Sequence, residues 1–359
     1  MKKHLLTATI LLVSALLLTA CSGSSRRVVA SGWAGLAADE TQVYLAYHNF
    51  VYAVDPADGS ERWRYPKEAN PALTFYAPPA VTTDGQVIIG GYNHNLYALD
   101  AESGRENWVF PIPEGRFIGG PLVTEAGIFA AATDGKVYAV TPEGKQLWSP
   151  FATEKEIWAA PVSDPDCECL YIASMDHRVY ALDARGGQLL WKTDDLGGAI
   201  VSSPAMDDGS LYVGTFGRQV IALDAGDGTE KWRFDTQEWV WGTPALDENN
   251  LYVGDLSGTL YALNKADGSL LWQVQPGGAI VDEPLVTAEG IYFTTEDGLV
   301  VSVTPEGSIR WQQTLDGHTY TAPLAFEEMI LVATDQPVAL LAALDSNGVG
   351  KWVFADTKE

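Results

Sequence analysis

Positive charge is what this chain has least of. Its 359 residues carry 22 Lys and Arg against 47 Asp and Glu, a formal net charge of −25. Such a field repels phosphate backbones and anionic headgroups. It excludes nucleic acid as a partner, and it gives a membrane no electrostatic hold on the chain. Cysteine is scarce too: Cys21, Cys167 and Cys169 are the only three, and no two are adjacent. Charged residues of both signs make up 19% of the chain while aromatics reach 11%, a composition that can bury a core and does not read as disordered. There is one long apolar run, Leu5 to Leu18, and it lies at the N-terminus.

That run follows Lys2 and Lys3 and is too short and wrongly flanked for a transmembrane anchor, so residues 1–20 read as an export leader. The leader ends in Leu18-Thr19-Ala20-Cys21, which resembles a bacterial lipobox. The resemblance implies cleavage before Cys21, diacylglycerol on its thiol and a fatty acid such as palmitate on its amine. Each buried CH₂ of such chains contributes about 0.8 kcal/mol, so several acyl chains hold a protein on a membrane durably. Residues 21–30 then form a lipidated tether that opens with Ser22-Gly23-Ser24-Ser25. Losing Lys2 and Lys3 with the leader makes the mature chain more acidic still. The expectation is an exported, lipid-anchored protein of the cell envelope. In an organism with two membranes Ser22 fits sorting to the outer one; with one membrane, the outer face of the cytoplasmic membrane is the expected place.

From residue 31 to 356 the chain repeats. Trp63, Trp108, Trp148, Trp191, Trp232, Trp272, Trp311 and Trp352 follow one another in steps of 45, 40, 43, 41, 40, 39 and 41 residues. A period near 40 with turn signals in each unit marks a radial β-repeat. Unit one reads Val51-Tyr52-Ala53-Val54-Asp55, then Gly59, then Trp63; units two, four and five repeat the pattern with Asp100, Asp183 and Asp224. Apolar alternation before each acid suits a half-buried strand, and the Asp-to-Gly stretch supplies a turn. A further strand pair precedes each unit, beginning at Pro79, Pro121, Pro161, Pro204, Pro244, Pro284 and Pro323, with Leu36 in the first. Four short antiparallel strands, eight times over, predict an all-β, eight-bladed β-propeller that leaves no room for an inserted catalytic domain.

The recurrent Ala, Gly and Trp resemble the pyrroloquinoline-quinone-like (PQQ-like) propeller repeat, Ala-x-Asp-x-x-Thr-Gly-x-x-x-Trp, over residues 31 to 356. Ala53, Ala98, Ala139, Ala181, Ala222, Ala262 and Ala343 hold the small position, and Ser302 departs from it. The resemblance implies that each tryptophan docks on the neighbouring blade's alanine and glycine turn. Burying 150–250 Å² per indole is worth about 4–6 kcal/mol of transfer energy at most. WD40 and kelch repeats fit less well, for want of Gly-His and Trp-Asp pairs or a longer period. With its length and lipobox, the chain resembles the BamB-like envelope lipoproteins. That implies a non-enzymatic scaffold binding a protein or peptide, one copy within a larger outer-membrane assembly machine, presenting sheet edges to client strands.

The alternative reading is a quinoprotein dehydrogenase holding PQQ with Ca²⁺. Such enzymes resemble this chain in the repeat but carry insertions and, in many members, vicinal cysteines, neither of which is present. The Asp-rich turns recur in every unit and lack EF-hand spacing, so no cofactor and no metal site is expected. His48, His94 and His177 occupy equivalent hairpin positions where other units have Gly, which suits residues tolerating positive φ. Cys167 and Cys169 flank Glu168 in an enlarged loop; in an oxidising compartment a disulfide between them is the first expectation, with a metal or redox role and free thiols as alternatives.

Four tryptophans stand outside the repeat: Trp33, Trp158, Trp239 and Trp241. All fall in segments entering a blade's first strand. Three residues before each proline stand Trp33, Tyr76, Ile118, Trp158, Val201, Trp241, Val281 and Tyr320; two further back, Arg116, Glu156, Trp239 and His318 are the conspicuous members. Period two puts both sets on one face. One reading makes the bulky ring a packing plug on the axis. The other makes Trp158, Trp239, Trp241, Arg116, Glu156, His318, Trp33 and Tyr76 parts of a recognition face, since aromatics and Arg are what contact sites use. A glycan-binding or sensory propeller would use the same aromatics on sugar rings. The long link from Trp63 to Pro79, with Pro66-Lys67-Glu68-Ala69-Asn70-Pro71, is expected on that face as well.

Overall fold

The computed structural model describes residues 34–164 and 166–356. The expected leader, the expected tether with Cys21, and Trp33 lie outside the described residues. Eight four-stranded antiparallel sheets follow one another along the chain, each built from contiguous sequence. Blade 1 consists of Gly35–Ala38, Val43–Tyr47, Phe50–Val54 and Glu61–Tyr65; blade 8 of Leu324–Phe326, Met329–Ala333, Leu341–Asp345 and Gly350–Phe354. The all-β, eight-bladed β-propeller expected from the repeat is what these residues form. First strands of successive blades touch in turn, as Gly35–Ala38 does Ala80–Val81, so they form the innermost layer. Second and third strands are buried almost throughout, and the core runs as a series of apolar clusters between neighbouring blades.

The tryptophan girdle shows why the repeat has its spacing. Trp63 lies over Gly104 of blade 2 and its Nε1–H donates to Ala101 O at 2.9 Å. The next six do the same in order, ending with Trp311 on Gly348 and Ser346 O. Trp352 then lies over Gly59 and donates to Pro56 O at 2.8 Å, so the wheel closes with the same joint. Gly104 has φ +66°, and a Cβ there would sit 2.4 Å from the indole, so no other residue fits that turn. The repeat alanine plays a different part from the one the resemblance implies. Ala53 pairs across the ladder with Trp63 of its own blade, as Ala98 does with Trp108 and Ala222 with Trp232. A small side chain opposite the indole leaves it room to lean out toward the next blade. The neighbour supplies the glycine and a carbonyl, and a register shift follows the alanine in each of these pairs.

The seam between blades 8 and 1 carries extra bonds. Tyr52 Oη donates to Asp356 Oδ2 at 2.5 Å, and Arg64 reaches Asp356 Oδ1 at 3.3 Å. Arg64 also lies over the rings of Phe50 and Tyr52, at 4.9 and 5.0 Å from their centroids. Near the axis, Thr321 Oγ1 donates to Ala34 O.

Candidate functional site

The segments entering the blades define one face of the wheel. In each, the residue four before the proline is driven inward: Phe117, Val240 and Ile280 are fully buried. A Cβ on Gly90, Gly214 or Gly254 of the preceding blade would fall within 2.2 Å of them, so those glycines make the sockets. With that residue inward, its two neighbours face outward, which is the period-two argument realised. The residue five before the proline is pinned through its carbonyl, which accepts a backbone N–H from its own blade's central hairpin: Thr133 to Arg116, Met175 to Glu156, Leu256 to Trp239 and Asp335 to His318. The hairpins place His48, His94 and His177 at φ +49°, +66° and +70°, as turn residues.

Three of the expected tryptophans meet. Trp158 and Trp241 have ring centroids 6.3 Å apart, although they enter blades 4 and 6, so they reach across the entry to blade 5, where Val201 is buried. Phe216, from the central hairpin of blade 5, joins them: it stacks on Trp239 at 4.8 Å with 15° between planes and contacts Trp241 at 5.3 Å. Trp239 is 44% exposed and, among the described residues, is the only aromatic in the set of exposed large hydrophobic side chains. Among the described residues no group accepts a hydrogen bond from its Nε1–H. Glu156 and Glu238 on the flanking segments are exposed. The result is a half-open aromatic surface over blades 4 to 6, bordered by acids.

The other expected residues gather elsewhere on the same face. Tyr76 packs edge-on against Tyr92 at 5.0 Å, with His48 at 5.8 Å on another side. The Arg116 guanidinium lies over Tyr92 at 5.4 Å. Burial pushes the Tyr92 hydroxyl up to about 12, so it remains a neutral donor. His318 stacks on Tyr320 at 5.9 Å, and its Nδ1 lies 3.0 Å from Asp335 Oδ2. The link after Trp63 is tied down by Asn49, whose Nδ2–H donates to Asn70 O at 3.2 Å and to Leu73 O at 2.5 Å; residues 67–72 are exposed. Glu156 shares no contact with Arg116 or His318, so the face is a set of local clusters rather than one converging constellation.

Two acids mark the inner end of blade 7. Asp282 Oδ2 accepts the Ala322 N–H of blade 8 at 2.8 Å, and its Oδ1 accepts the Glu283 N–H at 2.7 Å. Burial pushes the Asp282 carboxyl up to about 6, against those two bonds, and burial followed by the Asp282 charge pushes Glu283 up to about 8. Glu283 is nonetheless exposed at its surface. Other blades hold Gly120, Ala160, Ser203 and Thr243 at the Glu283 position, which is why neither acid stood out in the repeat.

Cys167 and Cys169 are joined in a disulfide. Among the described residues no group of three or more His, Cys, Asp or Glu side chains is placed to hold a metal ion, and no helix is long and apolar enough to cross a membrane.

Comparison with known proteins follows the architecture. No curated protein matches this sequence. Among solved structures, BamB from Moraxella catarrhalis superposes with a TM-score of 0.71 at 18% identity, over 84% of this chain and 93% of that one. The computationally designed Ika8 protein superposes with a TM-score of 0.73 at 14% identity, over 90% and 97%. At such identities the likeness is one of fold. A family model described as outer membrane protein assembly factor BamB matches residues 47–167, 138–240, 175–281, 233–306 and 276–359. Those segments together run from residue 47 to 359, and the chain therefore belongs to the BamB family of PQQ-like propellers.

Proposed function

We propose that this protein is a non-enzymatic, lipid-anchored scaffold of the cell envelope that serves outer-membrane protein assembly by holding a protein or peptide partner on the face made by its blade-entry segments. The observation that carries the reading is the cluster of Trp158, Phe216, Trp239 and Trp241. Its members lie outside the repeated Trp-to-glycine joints, yet one of them presents an indole that is 44% exposed. An aromatic centre with a polar border is the anatomy of a protein contact site. Membership in the BamB family supports the same reading.

Crosslinking in intact membranes, followed by identification of the captured proteins, tests it. The expected result is recovery of a β-barrel assembly component with the parent protein and its loss with the Trp158→Ala, Trp239→Ala pair. Recovery of no such component sinks the assembly role. Anchoring is tested separately: Cys21→Ser is expected to abolish fatty-acid labelling and to move the protein out of the membrane fraction.

A further inference from the structure

The disulfide does nothing visible for the fold. It lies in the turn joining the first two strands of blade 4, Val162–Asp164 and Cys169–Ala173. The other seven blades close the same turn without a covalent bond, most of them through one side chain. Asp39 Oδ1 accepts the Thr41 and Gln42 N–H groups, Asp247 Oδ1 those of Asn249 and Asn250, and Thr82 Oγ1 that of Gln86. Blade 4 has the same device, since Asp164 Oδ1 accepts the Asp166 N–H at 2.9 Å. Stabilisation by a crosslink grows with the length of loop it closes, and this one encloses a single residue. A local staple is therefore redundant here.

The two sulfurs also differ in access. Cys167 is exposed, whereas Cys169 is 8% exposed at the start of the second strand. Three acids surround the reachable sulfur in sequence, Asp164, Asp166 and Glu168, and among the described residues only Glu168 has a cation paired with it, Arg185. An anionic thiol approaching Cys167 is repelled; a neutral or cationic one is not.

We propose that Cys167–Cys169 is a thiol–disulfide exchange site whose partner is a neutral or cationic dithiol. The partner's thiolate attacks Cys167 Sγ, the Cys167–Cys169 bond breaks, and Cys169 leaves as a thiolate that takes up a proton. The partner's second thiol then attacks the mixed disulfide and releases Cys167, which is protonated in turn. The protein gains two electrons and two protons and becomes a dithiol; the partner becomes a disulfide.

The test uses the full chain without denaturant. Dithiothreitol reduction is followed by alkylation and peptide mapping, which separates Cys167 and Cys169 from Cys21. Both cysteines are expected to become labelled while the near-ultraviolet circular dichroism of the tryptophans is unchanged. Among monothiols, 2-mercaptoethanol is expected to react about tenfold faster than glutathione at low ionic strength, with the gap narrowing in salt. The Cys167→Ser, Cys169→Ser protein is expected to melt within about 2 °C of the parent. Labelling that appears only after unfolding, or collapse of the near-ultraviolet signal on reduction, overturns the proposal and makes the bond a staple. Equal rates for the two monothiols overturn the choice of partner.

Discussion

The chain uses tryptophan in two ways, and the two regions obey different rules. In the girdle each indole is fixed at two points, by a glycine turn it covers and by a carbonyl its N–H meets, and the arrangement recurs eight times in register. On the blade-entry face Trp158, Trp239 and Trp241 meet other aromatics instead, across blades and out of register. Repetition marks the residues that hold the wheel together. Departure from repetition marks the residues free to serve something else.

That contrast is open to attack by substitution. Trp63→Ala removes an indole that is 8% exposed and takes one of two donors from Ala101 O, which keeps the Gln42 Nε2–H. It is expected to cost about 3–5 kcal/mol in denaturant unfolding. Asp356→Asn weakens the seam that Tyr52 and Arg64 make with the buried carboxylate, for about 2 kcal/mol by the same measurement. Trp239→Ala is expected to cost at most about 1 kcal/mol of stability, since much of that ring already meets water. It should nonetheless lower partner capture by about tenfold or more. A stability loss matching that of Trp63→Ala would erase the distinction.

The smallest effect concerns the inner acids. Their carboxyls sit above the usual 3.8 and 4.5, so between about pH 4 and 8 the folded protein holds more protons than the unfolded chain. Stability therefore falls as pH rises through that window. Glu283→Gln removes part of the fall. Solvent screening keeps the gain to about 1 kcal/mol or less, visible as a higher melting temperature than the parent at pH 8.5 and none at pH 4.

The architecture was legible because eight copies of one rule outweigh any single irregularity. The spacing of Trp63 to Trp352 and the turns before them suffice for blade number and strand order. The alanine was misplaced because a repeat motif records which residues recur, without recording whether Ala53 or Ala98 faces Trp63. Entry-segment tryptophans could be found by subtraction, but Phe216 could not. Its hairpin position holds Tyr92, Thr133, Met175, Leu256 and Glu296 in other blades, and nothing in a list of types says that an aromatic there reaches the next blade's indole. Asp282 and Glu283 were missed for a related reason, since only the crowding of the inner strands sets them apart from the many other acids.

Each blade is one uninterrupted stretch of chain, and blade 8 meets blade 1 through the same Trp-to-glycine joint that links every other pair. The wheel thus has no privileged beginning. Joining the two ends by a short linker and cutting in the exposed stretch 67–72 would give a circular permutant whose blades all keep their neighbours. In such a protein the chain ends would leave the wheel at a different blade, while the aromatic surface over blades 4 to 6 would keep every contact it has.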